Sequence, residues 1–209
     1  MLIAGGLLPG CADARGRFQD FHDRLQAEAP SSDAGADASD ASDNGPCTPP
    51  DPGAVSGPAL LAIDTSLAEG LPILFLGTID TPAVSGTTAV HFVYHALDSL
   101  DRSTRVGPGL SVGPFPLDQG LLTALIPEST LDGDANPIVH GAPIDSEMTL
   151  TGRICGVKQF YCGTLTGSTS GLISGPFTGK FGITLLSGPD AVPAQPRFGC
   201  AAEDLAPAL

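Results

Sequence analysis

From Pro58 onward the apolar residues come in short clusters of Val, Ile, Leu and Phe, separated again and again by Gly or Pro. No other feature constrains the fold as strongly. In a helix interior glycine costs about 1 kcal/mol and proline about 3 kcal/mol relative to alanine, and both residues favour turns. Short apolar clusters between regular turn signals therefore predict an all-β domain. The clusters fall at residues 59–64, 72–80, 88–97, 110–117, 121–126, 147–155, 159–166 and 177–186. About eight short strands read as a sandwich or an open barrel, and a sandwich, Ig-like or related, is the expectation for residues 58–209. That length is enough for a single sizeable core.

Side-chain alternation assigns faces within three clusters. Residues 72–80 put Ile73, Phe75 and Ile79 on one side, with Leu74 and Leu76 on the other, which predicts a strand covered on both faces. Residues 177–186 alternate with Phe177, Phe181, Ile183 and Leu185 inward and Thr178, Lys180 and Thr184 outward. Residues 88–97 read two ways. A strand puts Val90, Phe92, Tyr94 and Ala96 opposite His91, Val93, His95 and Leu97, whereas a helix groups Val90, Val93, Tyr94 and Leu97. Enrichment in β-branched and aromatic residues favours the strand.

The first 57 residues are of a different kind. Residues 31–57 are almost entirely Ser, Asp, Ala, Gly and Pro, with Val55 the one large apolar side chain. Such a segment cannot bury enough surface to offset its ordering entropy, so a disordered acidic tether is expected over most of 12–57. Within it, Phe18, Phe21 and Leu25 would share one face of a short helix over residues 14–27, flanked by Arg15, Arg17 and Arg24. That helix could lie on lipid headgroups; the alternative is plain stalk. The net charge of −14 excludes general nucleic-acid binding, which needs clustered Lys and Arg.

Five cysteines, Cys11, Cys47, Cys155, Cys162 and Cys200, leave one thiol over if the rest are paired in an oxidising compartment. Cys155 and Cys162 bracket a turn, so a bridge there would staple a hairpin and leave Cys47 to pair with Cys200. Sequence leaves all three pairings of these four open. The odd thiol has its explanation in the opening eleven residues, MLIAGGLLPGC. They resemble the end of a bacterial lipoprotein signal: Leu8, Gly10 and Cys11 fit, Pro9 departs, and the missing basic start is expected if the signal begins upstream. With the acidic tether, the layout is similar to that of bacterial envelope lipoproteins. The resemblance implies a lipid thioether on Cys11, membrane lipid as a partner, and, from Ala12, an outer-membrane or cell-surface location. It leaves any protein or glycan partner unspecified.

Candidate chemistry is sparse. His91 and His95, with Asp98, would share a helix face but stand ~13 Å apart on a strand, too far for one ion. Asp132, Asp134 and Asn136 have the alternating spacing that opens a calcium loop, yet Pro137 and Pro143 occupy its sixth and twelfth positions, so calcium is a weak candidate and no other cofactor is implied. Gly167–Gly171 has Thr169 where a nucleophile elbow needs serine, and reads as a polar turn. With no Trp and two Tyr, the chain lacks material for an aromatic carbohydrate platform. The functional expectation is a non-catalytic binding or structural module displayed from the membrane. The alternative, a hydrolase or metal-dependent enzyme, requires His91, His95, His140 and nearby aspartates to converge in one cleft.

Overall fold

Each predicted apolar cluster becomes a strand in the computed structural model, which describes residues 47–208. Cys11 and its preceding apolar segment, the candidate helix at 14–27 and the tether up to residue 46 lie outside the described residues. The strands are β1 (Ser56–Thr65), β2 (Ile73–Asp80), β3 (Ala83–Val84), β4 (Thr87–Leu97), β5 (Arg105–Pro116), β6 (Leu121–Leu131), β7 (Ile144–Arg153), β8 (Phe160–Ser170) and β9 (Gly175–Leu185). One 3-10 turn, Gly133–Ala135, interrupts the β6–β7 connection. Residues 88–97 form a strand, with Val90, Phe92, Tyr94 and Ala96 buried on one face and His91 and His95 half-buried on the other. The stretch Gly167–Gly171 is mostly not a turn: β8 runs through to Ser170 before the chain reverses.

All pairings are antiparallel. The hydrogen-bonded order is β3–β4–β2–β1–β9–β8–β7–β6, with β5 beside β4 along the same edge as the two-residue β3. The first and last strands therefore meet in the middle, Ala59–Thr65 of β1 running against Gly179–Leu185 of β9. The edge strands β5 and β6 curl round to approach each other without pairing. The all-β class and strand number are as expected. In place of two separate sheets, one continuous sheet curls into an open up-and-down barrel with a single seam. Pro108, Pro114 and Pro116 on β5 and Pro127 on β6 supply no amide N–H along that seam, which blunts both edges.

The inner faces pair small with large. Gly163 of β8 stands opposite Phe181 of β9, and Gly167 opposite Phe177. A Cβ on Gly163 would lie 2.7 Å from the Phe181 ring, and one on Gly167 2.6 Å from the Phe177 ring, so both rings lie over bare backbone. Phe181 and Ile183 join Leu122, Leu150, Ile154 and Leu165 in the barrel core.

A second apolar layer lies outside. Leu60 and Ala62 of β1, Leu74 and Leu76 of β2 and Leu97 of β4 are covered by Phe198 and Ala206 of the C-terminal segment 186–208. β2 is thus covered on both faces, as its alternation predicts. Lys180 Nζ donates to Asp204 Oδ1 at 2.6 Å, and this bond raises the lysine pKa. An Arg102 N–H donates to the Pro207 carbonyl at 2.6 Å, and the Arg197 guanidinium sits 4.0 Å over the Phe160 ring.

Two disulfides hold the described residues, and their connectivity corrects the hairpin staple: Cys47 pairs with Cys155 and Cys162 with Cys200. The reason is strand parity. Tyr161 points into the barrel, where its hydroxyl donates to the Gly156 carbonyl and accepts from Lys158 N. Its neighbour Cys162 must then point outward, towards the C-terminal segment. Cys155, beyond the end of β7, meets Cys47 beside Gly120. The tether boundary moves as well. Residues 47–57 pack against the barrel: Val55 is fully buried and exchanges hydrogen bonds with Thr81, and Thr88 Oγ1 donates to the Pro50 carbonyl at 2.8 Å.

Candidate functional site: a cavity in one half of the barrel

The barrel is filled at one end and hollow at the other. At the end bearing the β5–β6 turn, Val55, Leu117, Ile154 and Tyr161 close the core. At the opposite end, where β1 leads into β2 and β6 into β7, an apolar cavity of about 280 Å³ opens beside the seam. Its apolar wall includes Leu61 and Ile63 of β1, Phe75 of β2, Ile126 of β6, Leu150 of β7 and Phe177 of β9. It is hollow because the inward positions here carry little volume. Ser129 and Ser146 stand where bulkier residues fill the other half, and along the seam β5 offers only Gly107-Pro108-Gly109, with the Gly109 α-carbon facing His95 on the outer side. The β6–β7 connection completes the wall with Asn136, Pro137 and Ile138.

That connection is tightly organised. Asp132 Oδ1 accepts from Asp134 N at 3.0 Å, capping the 3-10 turn. Ser99 binds the Asp134 carbonyl through both its N–H and its hydroxyl. The Asn136 side chain is fully buried; its amide donates to the Ala142 carbonyl at 2.7 Å and its oxygen accepts from Ile138 N and Val139 N. The Asn136 oxygen is therefore committed to backbone, and Asp132, Asp134 and Asn136 serve to shape this loop.

Tyr94 sets the inner end of the cavity. Register places it opposite Gly77, one inward position deeper than Ala96, which stands opposite Phe75. Its ring meets Phe75 edge-on with centroids 5.0 Å apart. The residue is 7% exposed, and burial pushes the phenol pKa up to about 12. No hydrogen-bond partner for its hydroxyl is found among the described residues.

The histidines do not come together in one site. His91 bonds Ser111 Oγ at 3.0 Å and lies 3.6 Å from Asp80, on the outer face of the barrel. His95, on the same face, covers Gly109. His140 belongs to the β6–β7 connection, 3.2 Å from Ser99 Oγ and 3.8 Å from Asp134. Among the described residues no group of three His, Cys, Asp or Glu side chains is arranged to hold a metal ion. The cavity itself was not foreseen from the sequence. The readable signal was the placing of Gly, Ser and Pro at positions that alternation assigns to the core. Comparison with known protein families, with curated protein sequences and with solved structures found no match.

Proposed function

We propose that this protein is a lipid-anchored, extracytoplasmic binding protein whose barrel takes up a small apolar molecule in its half-open cavity. The cavity carries the reading: an uptake site is concave, largely apolar and preformed, and a barrel of eight long strands, the two-residue β3 aside, is wide enough for one small ligand. The two disulfides suit an oxidising compartment outside the cytoplasm. Among the described residues no helix is long and apolar enough to cross a membrane, and Cys11 is the lipid attachment point in this proposal.

Two experiments test the halves separately. The protein expressed from its own gene is expected to incorporate radiolabelled palmitate, and Cys11→Ser to lose it; label retained in that variant would refute the anchor. For the cavity, naphthalene binding is followed by its fluorescence. Ser146 lines the void and its side chain has no hydrogen-bond partner among the described residues, so Ser146→Phe should fill the space and abolish binding while the thermal midpoint holds or rises. Unchanged naphthalene binding in that variant would place the ligand elsewhere.

A further inference from the structure

We infer that the cavity selects an uncharged molecule: an apolar body bearing one hydrogen-bond acceptor, directed at the Tyr94 hydroxyl. The inference rests on the uptake reading above and goes on to name what is taken up. Tyr94 is more than nine-tenths buried, lines the inner end of the cavity, and has no partner for its hydroxyl among the described residues. The hydroxyl itself is not sealed off, since the one fully buried side-chain donor without a partner among the described residues is Arg197 Nε, so an acceptor bound in the cavity can reach it and form a hydrogen bond in a largely apolar surrounding.

The other polar groups around the void narrow the choice. Thr130 is bound to Asp145 and Thr169 to the Gly175 carbonyl. Asn136 is consumed by its own loop. The hydroxyls of Thr65, Ser129 and Ser146 are unpaired among the described residues, but lie nearer the open end than Tyr94. Among the described residues no Lys, Arg or His lines the cavity, and the one charged side chain there is that of Asp132. An anionic head would go in without a counter-charge, so fatty acids and other carboxylates are disfavoured. Because burial holds the Tyr94 phenol protonated until about pH 12, it acts as a donor across the physiological range. Size follows from comparison: an apolar cavity of ~150 Å³ holds benzene, so this one suits on the order of a dozen non-hydrogen atoms.

Three isosteres decide the matter: 2-isopropenylnaphthalene, 2-acetylnaphthalene and 2-naphthoate, titrated by calorimetry into the wild-type protein and into Tyr94→Phe. The ketone is expected to bind the wild type about 3- to 10-fold more tightly than the alkene, a factor matching one neutral hydrogen bond. Tyr94→Phe should erase that margin and leave the alkene unchanged, since the phenyl ring and its contact with Phe75 remain. Tyr161→Phe, at the filled end, should change neither affinity. The carboxylate should bind at least about 100-fold more weakly than the ketone, as an unpaired buried anion requires. Equal binding of ketone and alkene, unaffected by Tyr94→Phe, would overturn the ligand class and leave the cavity in use. Tightest binding by the carboxylate would overturn it as well. Failure of all three to bind, with naphthalene also excluded, would overturn the uptake reading itself.

Discussion

Removing the two disulfides one at a time tests how the barrel is held, because their loops differ in length and do not overlap. Cys47–Cys155 closes a separation of 108 residues and Cys162–Cys200 one of 38. Loop-closure entropy assigns about 4.8 kcal/mol to the longer and about 3.9 kcal/mol to the shorter as upper limits. With about 2–4 °C of midpoint per kcal/mol for a chain of this size, Cys47→Ala with Cys155→Ala should lower the thermal midpoint by about 10–20 °C. Cys162→Ala with Cys200→Ala should lower it by slightly less. The two bridges constrain separate segments, so their losses should add to about 9 kcal/mol, a large share of the ~5–15 kcal/mol by which domains are stable. The chain lacking both bridges should accordingly be largely unfolded. Guanidinium unfolding followed by far-ultraviolet circular dichroism reads these quantities, and the denaturant slope should rise as each cross-link is lost and more surface is exposed. Neither pair lines the cavity, so naphthalene affinity should be unchanged wherever the variant is folded. If losing Cys162–Cys200 costs distinctly more than losing Cys47–Cys155, loop entropy does not govern the loss and the packing of the C-terminal layer depends on its bridge. A peptide map of the unreduced protein linking Cys155 to Cys162 would refute the connectivity outright.

Two further outcomes follow from the core. The chain has two tyrosines and no tryptophan, so tyrosinate absorbance is a clean readout. Burial raises both phenols, Tyr94 to about 12; a raised folded pKa means stability intact below the ordinary ~10 and lost as pH rises through the folded value. Alkaline unfolding should therefore set in between pH 10 and 12 together with tyrosinate formation, and Tyr94→Phe should weaken that dependence; free ionisation near pH 10 in an intact fold would contradict it. Gly163→Ala places a methyl group 2.7 Å from the Phe181 ring and against the Thr151 carbonyl. It should destabilise by roughly 1–3 kcal/mol, measured as a drop in midpoint, whereas alanine at half-buried Gly188, where nothing lies within 4 Å of the added methyl group, should change little.

Much of the fold was written in side-chain alternation. Phe92 and Tyr94 against His91 and His95, and Leu74 and Leu76 against Phe75 and Ile79, place each residue on its observed face, because strand geometry fixes parity locally. Parity says nothing about which strand lies beside which. The pairing of β1 with β9 joins residues more than a hundred positions apart, and it converts an expected sandwich into one curled sheet. The disulfides were misjudged for a related reason. Closeness in sequence favoured Cys155 with Cys162, while the adjacent Tyr161, a large aromatic suited to the core, already required Cys162 to face outward.

The cavity was the least legible feature, because it is made by residues that look like turn formers. Gly107, Pro108 and Gly109 read as punctuation before the next strand, and Ser129 and Ser146 as solvent-facing polar positions. Only the register reveals Ser129 and Ser146 as facing inward, and only the folded seam brings Gly107, Pro108 and Gly109 to the cavity, where they supply too little volume to fill the barrel. Close packing is the norm for protein interiors, and the same sheet achieves it a few residues away by setting Phe181 against Gly163 and Gly152. A chain able to fill one half by pairing phenylalanines with glycines has the means to fill the other. That it places small side chains around a buried, unpartnered Tyr94 is the physical argument that the space is there to be occupied.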